Sequence, residues 1–238
     1  MKKKLLVLLV AVIPISLLFS VGVLAQTTDS QKKSFEGFYG QVGIGYQLTN
    51  ISYSGVVPGA PSNLTLAPGA GLSYGITGNV GAGYTYSIND RFSIGAGAEY
   101  YPVVGPPGNY TLASCLPGCS IGNGSYHTQN MYNLFVSPGI SIGEDSLAYL
   151  KVGYTRTSVK TQVSGATPIA GVVTNPFGPS FGIGYKQFIT GNLYGFTEYN
   201  YLIYQKTTTL FQSGSGLVLY NSNQSSVQNL MVGLGYKF

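Results

Sequence analysis

The stretch "LSYGITGNVGAGYTYSI", residues 72–88, decides the fold. Its even positions are Leu72, Tyr74, Ile76, Gly78, Val80, Ala82, Tyr84, Tyr86 and Ile88, eight of the nine apolar or aromatic. The odd positions carry Ser73, Gly75, Thr77, Asn79, Gly81, Gly83, Thr85 and Ser87, with nothing apolar beyond glycine. Strict alternation places the two sets on opposite faces of a strand. A helix of this composition would lose about 1 kcal/mol per glycine relative to alanine.

The same parity recurs outward from this stretch. Residues 38–48 carry Phe38, Val42, Ile44, Tyr46 and Leu48 on one face, and residues 92–100 carry Phe92, Ile94, Ala96, Ala98 and Tyr100. Tyr132, Leu134, Val136, Ile140 and Ile142 form the next row, followed by Ala148, Leu150, Val152 and Tyr154, and then by Phe181, Ile183 and Tyr185. Leu193, Tyr199, Tyr201 and Ile203 precede the closing row, Leu230, Val232, Leu234, Tyr236 and Phe238. Eight strands result. Short connections at 89–91, 143–146 and 190–192 alternate with long ones at roughly 54–71, 102–125, 160–178 and 206–224, rich in Gly, Pro, Ser, Thr and Asn. Pro138 is expected near a strand end or bulge.

Composition settles which solvent surrounds such a sheet. Only 8% of residues are Asp, Glu, Lys or Arg, against about 25% in an ordinary soluble domain. A water-soluble up-and-down barrel would hide the greasy face and display Gly, Ser, Thr and Asn with almost no charge, which is a poor aqueous surface. In a bilayer the greasy face meets lipid, the small polar face lines a narrow interior, and closure satisfies every edge hydrogen bond. The expected fold is therefore all-β: an eight-stranded antiparallel up-and-down transmembrane β-barrel with short periplasmic turns and four long extracellular loops. Tyr46, Tyr74, Tyr100 and Tyr236 would sit at the interfaces.

The first residues, "MKKKLLVLLVAVIPISLLFSVGVLA", read as a secretory signal peptide over 1–25, with an uncleaved anchor helix as the alternative. A short periplasmic segment, 26–34, and the barrel, 35–238, would follow. Without Lys2, Lys3 and Lys4 the formal charge falls from +5 to +2, so the basic balance belongs mostly to export and gives no case for nucleic acid.

The terminal row resembles the C-terminal signature of bacterial outer-membrane proteins, an ultimate Phe after alternating hydrophobics, on Leu230, Val232, Leu234, Tyr236 and Phe238. "GFYGQVGIGYQL", "YLKVGYTRT" and "FGIGYKQFITGNLYGFTEYNY" are similar to the eight-stranded class of OmpA-like transmembrane domains, OmpX-like proteins and opacity proteins. The resemblance implies location in a Gram-negative outer membrane after export through the periplasm, and recognition of the terminal strand by the barrel-assembly machinery during insertion. It also implies contact with outer-membrane lipid and lipopolysaccharide, and a surface ligand met through the extracellular loops.

Few charges fall on the lumen parity: Glu99, Lys151, Lys186 and Glu198, with Lys237 at the periplasmic end. The first four lie at similar depth, and two acids with two bases suggest an internal ion-pair cluster, since buried charges must be paired. A polar closure of the barrel is the structural reading; a gate for small ions and acid–base catalysis are the functional ones. Cys115 and Cys119 in "SCLPGCS" can close a small disulfide in an oxidising compartment. A two-Cys metal site would find no His, Asp or Glu before His127. His127, the only histidine, falls on the lumen parity near the extracellular end of its strand, beside Thr128 and Gln129 rather than a serine and an acid. No catalytic residue, metal or cofactor is expected, and the protein is not expected to be an enzyme. The functional expectation is a structural or surface-interaction, adhesin-like role. A narrow OmpW-like channel for small or hydrophobic solutes is the alternative, and a lipid-modifying enzyme ranks third.

Overall fold

A computed structural model describes residues 35–56, 65–114, 120–164, 169–212 and 218–238. The expected leader and the 26–34 segment, and Cys115 and Cys119 with their expected disulfide, lie outside the described residues. The strands are β1 (Gly37–Val56), β2 (Thr65–Ser87), β3 (Phe92–Val103), β4 (Gly108–Ser114), β5 (Ser120–Ile142), β6 (Ser146–Ser164), β7 (Ile169–Thr174), β8 (Phe177–Thr190), β9 (Leu193–Ile203), β10 (Thr207–Gln212) and β11 (Val218–Lys237). Eight of them, β1, β2, β3, β5, β6, β8, β9 and β11, pair antiparallel in that cyclic order, and β11 returns to β1. The barrel is closed. β4, β7 and β10 add to β5, β6 and β11 beyond one rim.

The alternation of 72–88 appears as a wall with two faces. Leu72, Ile76 and Val80 are 57%, 63% and 44% exposed, while Thr77 and Asn79 between them are at 0% and 2%. Greasy outside and polar inside is the inverse of a water-soluble protein and the arrangement expected where hydrocarbon is the outer solvent. The terminal row is part of the same wall: Phe38 pairs beside the terminus, the Phe238 amide donates to the Phe38 carbonyl at 2.8 Å, and the whole row closes onto β1.

The three tight turns have local causes. Asn89 Oδ1 accepts from the amides of Arg91 and Phe92 at 2.9 and 2.8 Å, an Asx arrangement that reverses the chain. Gly143 and Gly191 take φ of 68° and 50°, where a Cβ would be penalised.

At the opposite rim the expected loops are mostly strand. β1 reaches Val56 and β2 begins at Thr65, β5 begins at Ser120, β6 reaches Ser164, and β11 begins at Val218. The period-2 signal fades there because both faces of a strand beyond the bilayer can be solvated, which removes the selection that separates apolar from polar positions.

Two irregularities matter below. Asn130 has φ 49°, and the β5–β6 register shifts between Gln129 and Tyr132. This bulge reverses the parity of β5: Met131, Asn133 and Phe135 point inward after it, Tyr126 and Thr128 before it. His127 is therefore on the outward row, not the lumen row expected by counting in twos. Between β3 and β4, residues 104–107 leave the wall and lie on the inner face of β2. There Thr77 Oγ1 donates to the Val103 carbonyl at 2.8 Å and Ser73 Oγ to the Pro106 carbonyl at 2.7 Å. Pro106 and Pro107 have no N–H to give a ladder.

Candidate functional site: a closed bore

The interior is filled at three levels. Toward the short-turn end, Tyr39, Phe188, Tyr194, Phe196 and Met231 cluster, with Phe35 stacked on Phe188 at 4.2 Å between ring centroids. Toward the other end, Tyr101, Met131, Leu202, Tyr204 and Val227 form a second apolar layer, against which Val104 of the inturned segment packs.

Charge lies between these layers. Lys151 Nζ donates to Glu99 Oε1 and Oε2 at 2.8 and 2.7 Å and to Glu198 Oε1 at 2.7 Å. One ammonium thus bridges two carboxylates from β3 and β9. The remaining acceptor capacity is met by neutral donors. Asn79 and Asn133 amides approach Glu99 at 3.4 and 3.3 Å, and Tyr101 OH donates to it at 3.3 Å. Tyr149 OH and the Asn200 amide donate to Glu198 at 2.8 and 2.7 Å. Asn200 also donates to Asn229 Oδ1 at 3.0 Å, and Ser180 Oγ to Asn133 Oδ1 at 2.6 Å.

Lys186 lies apart from these ion pairs, among the rings of the short-turn layer. Its ammonium sits over the Tyr39 ring at 4.0 Å from the centroid, with Tyr149 and Tyr194 each at 5.1 Å. Three electron-rich faces around a desolvated cation are each worth on the order of 1–2 kcal/mol. Of the four lumen charges read from the sequence, the structure joins Glu99, Lys151 and Glu198 directly and gives Lys186 an aromatic cage. Lys237 lies at the short-turn rim, paired in register with Tyr39.

The asparagine ring and the tyrosine cage are absent from the sequence reading, though a signal existed. Asn133 is the register partner of Glu99, and Asn229 of Asn200, so a register drawn from the tight turns would have placed the amides beside the acids. Lumen glycines provide the room. Lys151 and Glu198 pair with Gly182 and Gly184; a Cβ on Gly182 would come within 2.5 Å of Asn200 Oδ1, and one on Gly184 would enter the Tyr149 ring.

His127 faces outward opposite Lys160, and residues 100–180 of the sequence, which hold it, contain acids only at Glu144 and Asp145, in the tight turn at the far end of β5. Among the described residues, no group of three or more His, Cys, Asp and Glu could hold a metal ion.

Fold and interior together define a transmembrane β-barrel with a densely lined interior. The chain belongs to the family described as outer membrane protein beta-barrel domain, whose model matches residues 15–238. Among solved structures it is similar to the outer-membrane protease OmpT of Escherichia coli, at 8% identity and TM-score 0.53, over 90% of this chain and 99% of that one. It is also similar to the outer-membrane protein OprG of Pseudomonas aeruginosa, at 13% identity and TM-score 0.51, over 85% and 96%. The attachment invasion locus protein Ail of Yersinia pestis matches at 15% identity and TM-score 0.40, over 85% and 99%. At these identities the likeness is one of fold. No curated protein matches the sequence. The short-turn end is accordingly periplasmic, the extended-hairpin end extracellular, and the greasy wall lies in the outer membrane.

Proposed function

We propose that this protein is a non-conducting outer-membrane scaffold whose working surface is its extracellular β-extension, a structural or surface-binding role of the adhesin kind rather than catalysis. The observation that carries the reading is the bore: Lys151, bridging Glu99 and Glu198, is packed between two apolar layers, and Lys186 is held among the rings of the layer toward the short-turn end. An axial pore needs a continuous wet path, and an eight-stranded barrel has little room beyond its own side chains. The strands meanwhile run on well past the nine to eleven residues that span a bilayer: β2 and β5 are 23 residues long. Material placed there is exposed to the outside and serves no purpose in spanning. The outward His127, without a neighbouring acid, argues against a hydrolase.

The test is twofold. Purified protein in planar bilayers should give no conductance, and replacing residues 108–125 should abolish attachment to a host or abiotic surface while leaving the folded barrel intact. Steady conductance in the native protein, abolished by a bulkier lumen residue, would refute the reading. A second reading, passage of small apolar solutes through the wall, draws on the seam where β2–β3 pairing ends at Gly78 and Val103. It requires that Ser73→Ala with Thr77→Ala raise uptake of a small apolar solute into vesicles without ionic conductance.

A further inference from the structure

The inward row of β8 ends on two residues of opposite character. Lys186 holds its ammonium among tyrosine rings. Phe188 is one inward position closer to the periplasmic turn, about 7 Å along the strand, and so stands between Lys186 and the periplasm on that strand. It is itself covered. The Phe35 ring, which precedes β1, lies on Phe188 at 4.2 Å between centroids with the planes 20° apart, and meets Tyr194 in a T-shape at 5.9 Å and 71°. Phe188 and Tyr194 are in turn edge to face at 6.2 Å and 89°. Rings from the start of the barrel, from β8 and from β9 thus form one unit at the periplasmic mouth.

Two glycines let the chain do this. β1 is bonded to β11, with β9 and β8 following in the ring, so Phe35 reaches past a whole strand to find its partners. Gly37 takes φ of 126°, a region open to glycine. A Cβ there would lie 3.2 Å from the Phe238 carbonyl oxygen, so any larger residue would push the preceding chain off the last strand. Gly235 of β11 makes the second allowance: a Cβ on it would enter the Tyr194 ring. Tyr194 therefore lies close against β11 and sends its hydroxyl to Gln41 Oε1 on β1 at 3.2 Å. Phe35 and Glu36 fall outside the strand, and Phe35 is only half-buried over rings that are themselves buried. A ring seated this way, ahead of a glycine, can lift without unpairing a ladder.

We propose that Phe35 is a removable stopper, hinged at Gly37, which closes the periplasmic mouth of the bore and keeps the ring-caged Lys186 from periplasmic water. With the stopper seated, the Lys186 ammonium meets the faces of Tyr39, Tyr149 and Tyr194, contacts that are strongest when the cation is desolvated. Lifting it uncovers Phe188 and Tyr194 and brings water to a cation held by rings rather than by a carboxylate. Lys151 is placed differently. It lies behind the lower ring layer, tied to Glu99 and Glu198, and stays dry in either state. The bore thus has two closures in series, a fixed one of ion pairs and a movable one of rings. Two aromatic contacts of this kind favour the seated state roughly 5- to 150-fold. The inference concerns the periplasmic end and is independent of the surface-binding reading.

The test is reductive methylation of the purified full-length protein in mild detergent with formaldehyde and cyanoborohydride, the rate at each lysine read by peptide mass mapping. Lys160 and Lys206, exposed beyond the extracellular aromatic belt, set the rate of an open amine. Lys186 should react far more slowly in the native protein, and Phe35→Ala should raise its rate roughly 5- to 150-fold. Gly37→Val should raise it too, although the ring is intact, and Phe35→Tyr should keep the native rate. Phe38→Ala, on the lipid face at the same end, should change nothing. Lys151 reports on the rest of the barrel and should stay unreactive throughout, with heat-modifiable gel mobility verifying that each variant is folded. A rise at Lys186 with Lys151 unchanged bears the proposal out. Lys186 as protected in Phe35→Ala and Gly37→Val as in the native protein, native Lys186 as fast as Lys160, or Lys151 reacting in step with Lys186 would overturn it.

Discussion

Lys151→Met is the sharpest perturbation of the bore, because it keeps the apolar stem and removes only the charge. The ammonium meets two carboxylates at 2.7 Å each, and every side chain involved is at most 2% exposed. At an effective dielectric near 20, each contact represents about 6 kcal/mol of gross attraction. Desolvation of the three groups offsets much of that in the intact protein. The variant loses the attraction without recovering the desolvation, and leaves two buried acids facing each other. Removing one partner of a buried pair costs about 3–5 kcal/mol, and the neutral donors around Glu99 and Glu198 place this site toward the lower half of that range. With a urea slope near 2 kcal/mol/M, the unfolding midpoint should fall by about 1.5–2 M. The assay is equilibrium urea unfolding in lipid vesicles, followed by far-ultraviolet circular dichroism because the chain has no tryptophan. Glu99→Gln and Glu198→Gln added to Lys151→Met should restore most of the loss, since amides need no counter-charge. A single variant within about 1 kcal/mol of the native protein, or a triple variant as unstable as the single, would refute the claim that the ions are held by mutual pairing.

Other positions test other parts of the account. Tyr149→Phe removes the 2.8 Å donor to Glu198 and should cost about 1.5–3 kcal/mol in the same unfolding assay, because the acceptor is charged. Gly184→Val drives methyls into the Tyr149 ring and should destabilise by about 1–3 kcal/mol, an effect that Tyr149→Ala in the same chain should relieve. Val80→Lys, outward and midway along the greasy row of β2, should cost about 2–4 kcal/mol in vesicles, whereas Ser158→Lys beyond the belt should stay within about 0.5 kcal/mol. Asn130→Gly should be tolerated and Asn130→Val should destabilise by about 1–3 kcal/mol, since φ of 49° suits glycine and penalises a β-branched residue.

The membrane-facing rows were readable from sequence because the bilayer imposes one demand on every outward residue between the interfaces, and that demand repeats every second position. Leu72, Ile76 and Val80 obey it, as does the row ending at Phe238. Glu99, Lys151, Lys186 and Glu198 all point into the bore, as their parity implies. What parity alone could not supply is the identity of each neighbour. Lys186 differs from Lys151 only in having rings rather than carboxylates around it, and Tyr39, Tyr149 and Tyr194 reach it from three separate strands. Apolar lumen residues such as Met131, Leu202 and Met231 break the rule of a polar interior because a bore this narrow is packed like a core. His127 was misplaced for a different reason. One extra residue at Asn130 inverts every later assignment on a strand read in twos, and Asn announces such a bulge only weakly.

The two charged features of the molecule are separable, and their separation can be measured. Lys151 and Arg156 lie on the same strand five residues apart, about 17 Å along it, with the Tyr204 layer between them and side chains on opposite faces. Because the bore group is neutral in sum, it adds little field beyond the belt, so the charge on the outer face there is set by Arg156, Lys160 and Lys206. Substitutions at such distances add within about 0.3–0.5 kcal/mol when no partner is shared. Lys151→Met should then destabilise the barrel in the urea assay, whereas Arg156→Gln with Lys160→Gln should leave its stability within about 0.5 kcal/mol of the native protein. A combined variant whose loss departed from the sum by more than about 0.5 kcal/mol would mean that the outer face is organised by the interior network, and the division of labour drawn from their geometry would be wrong.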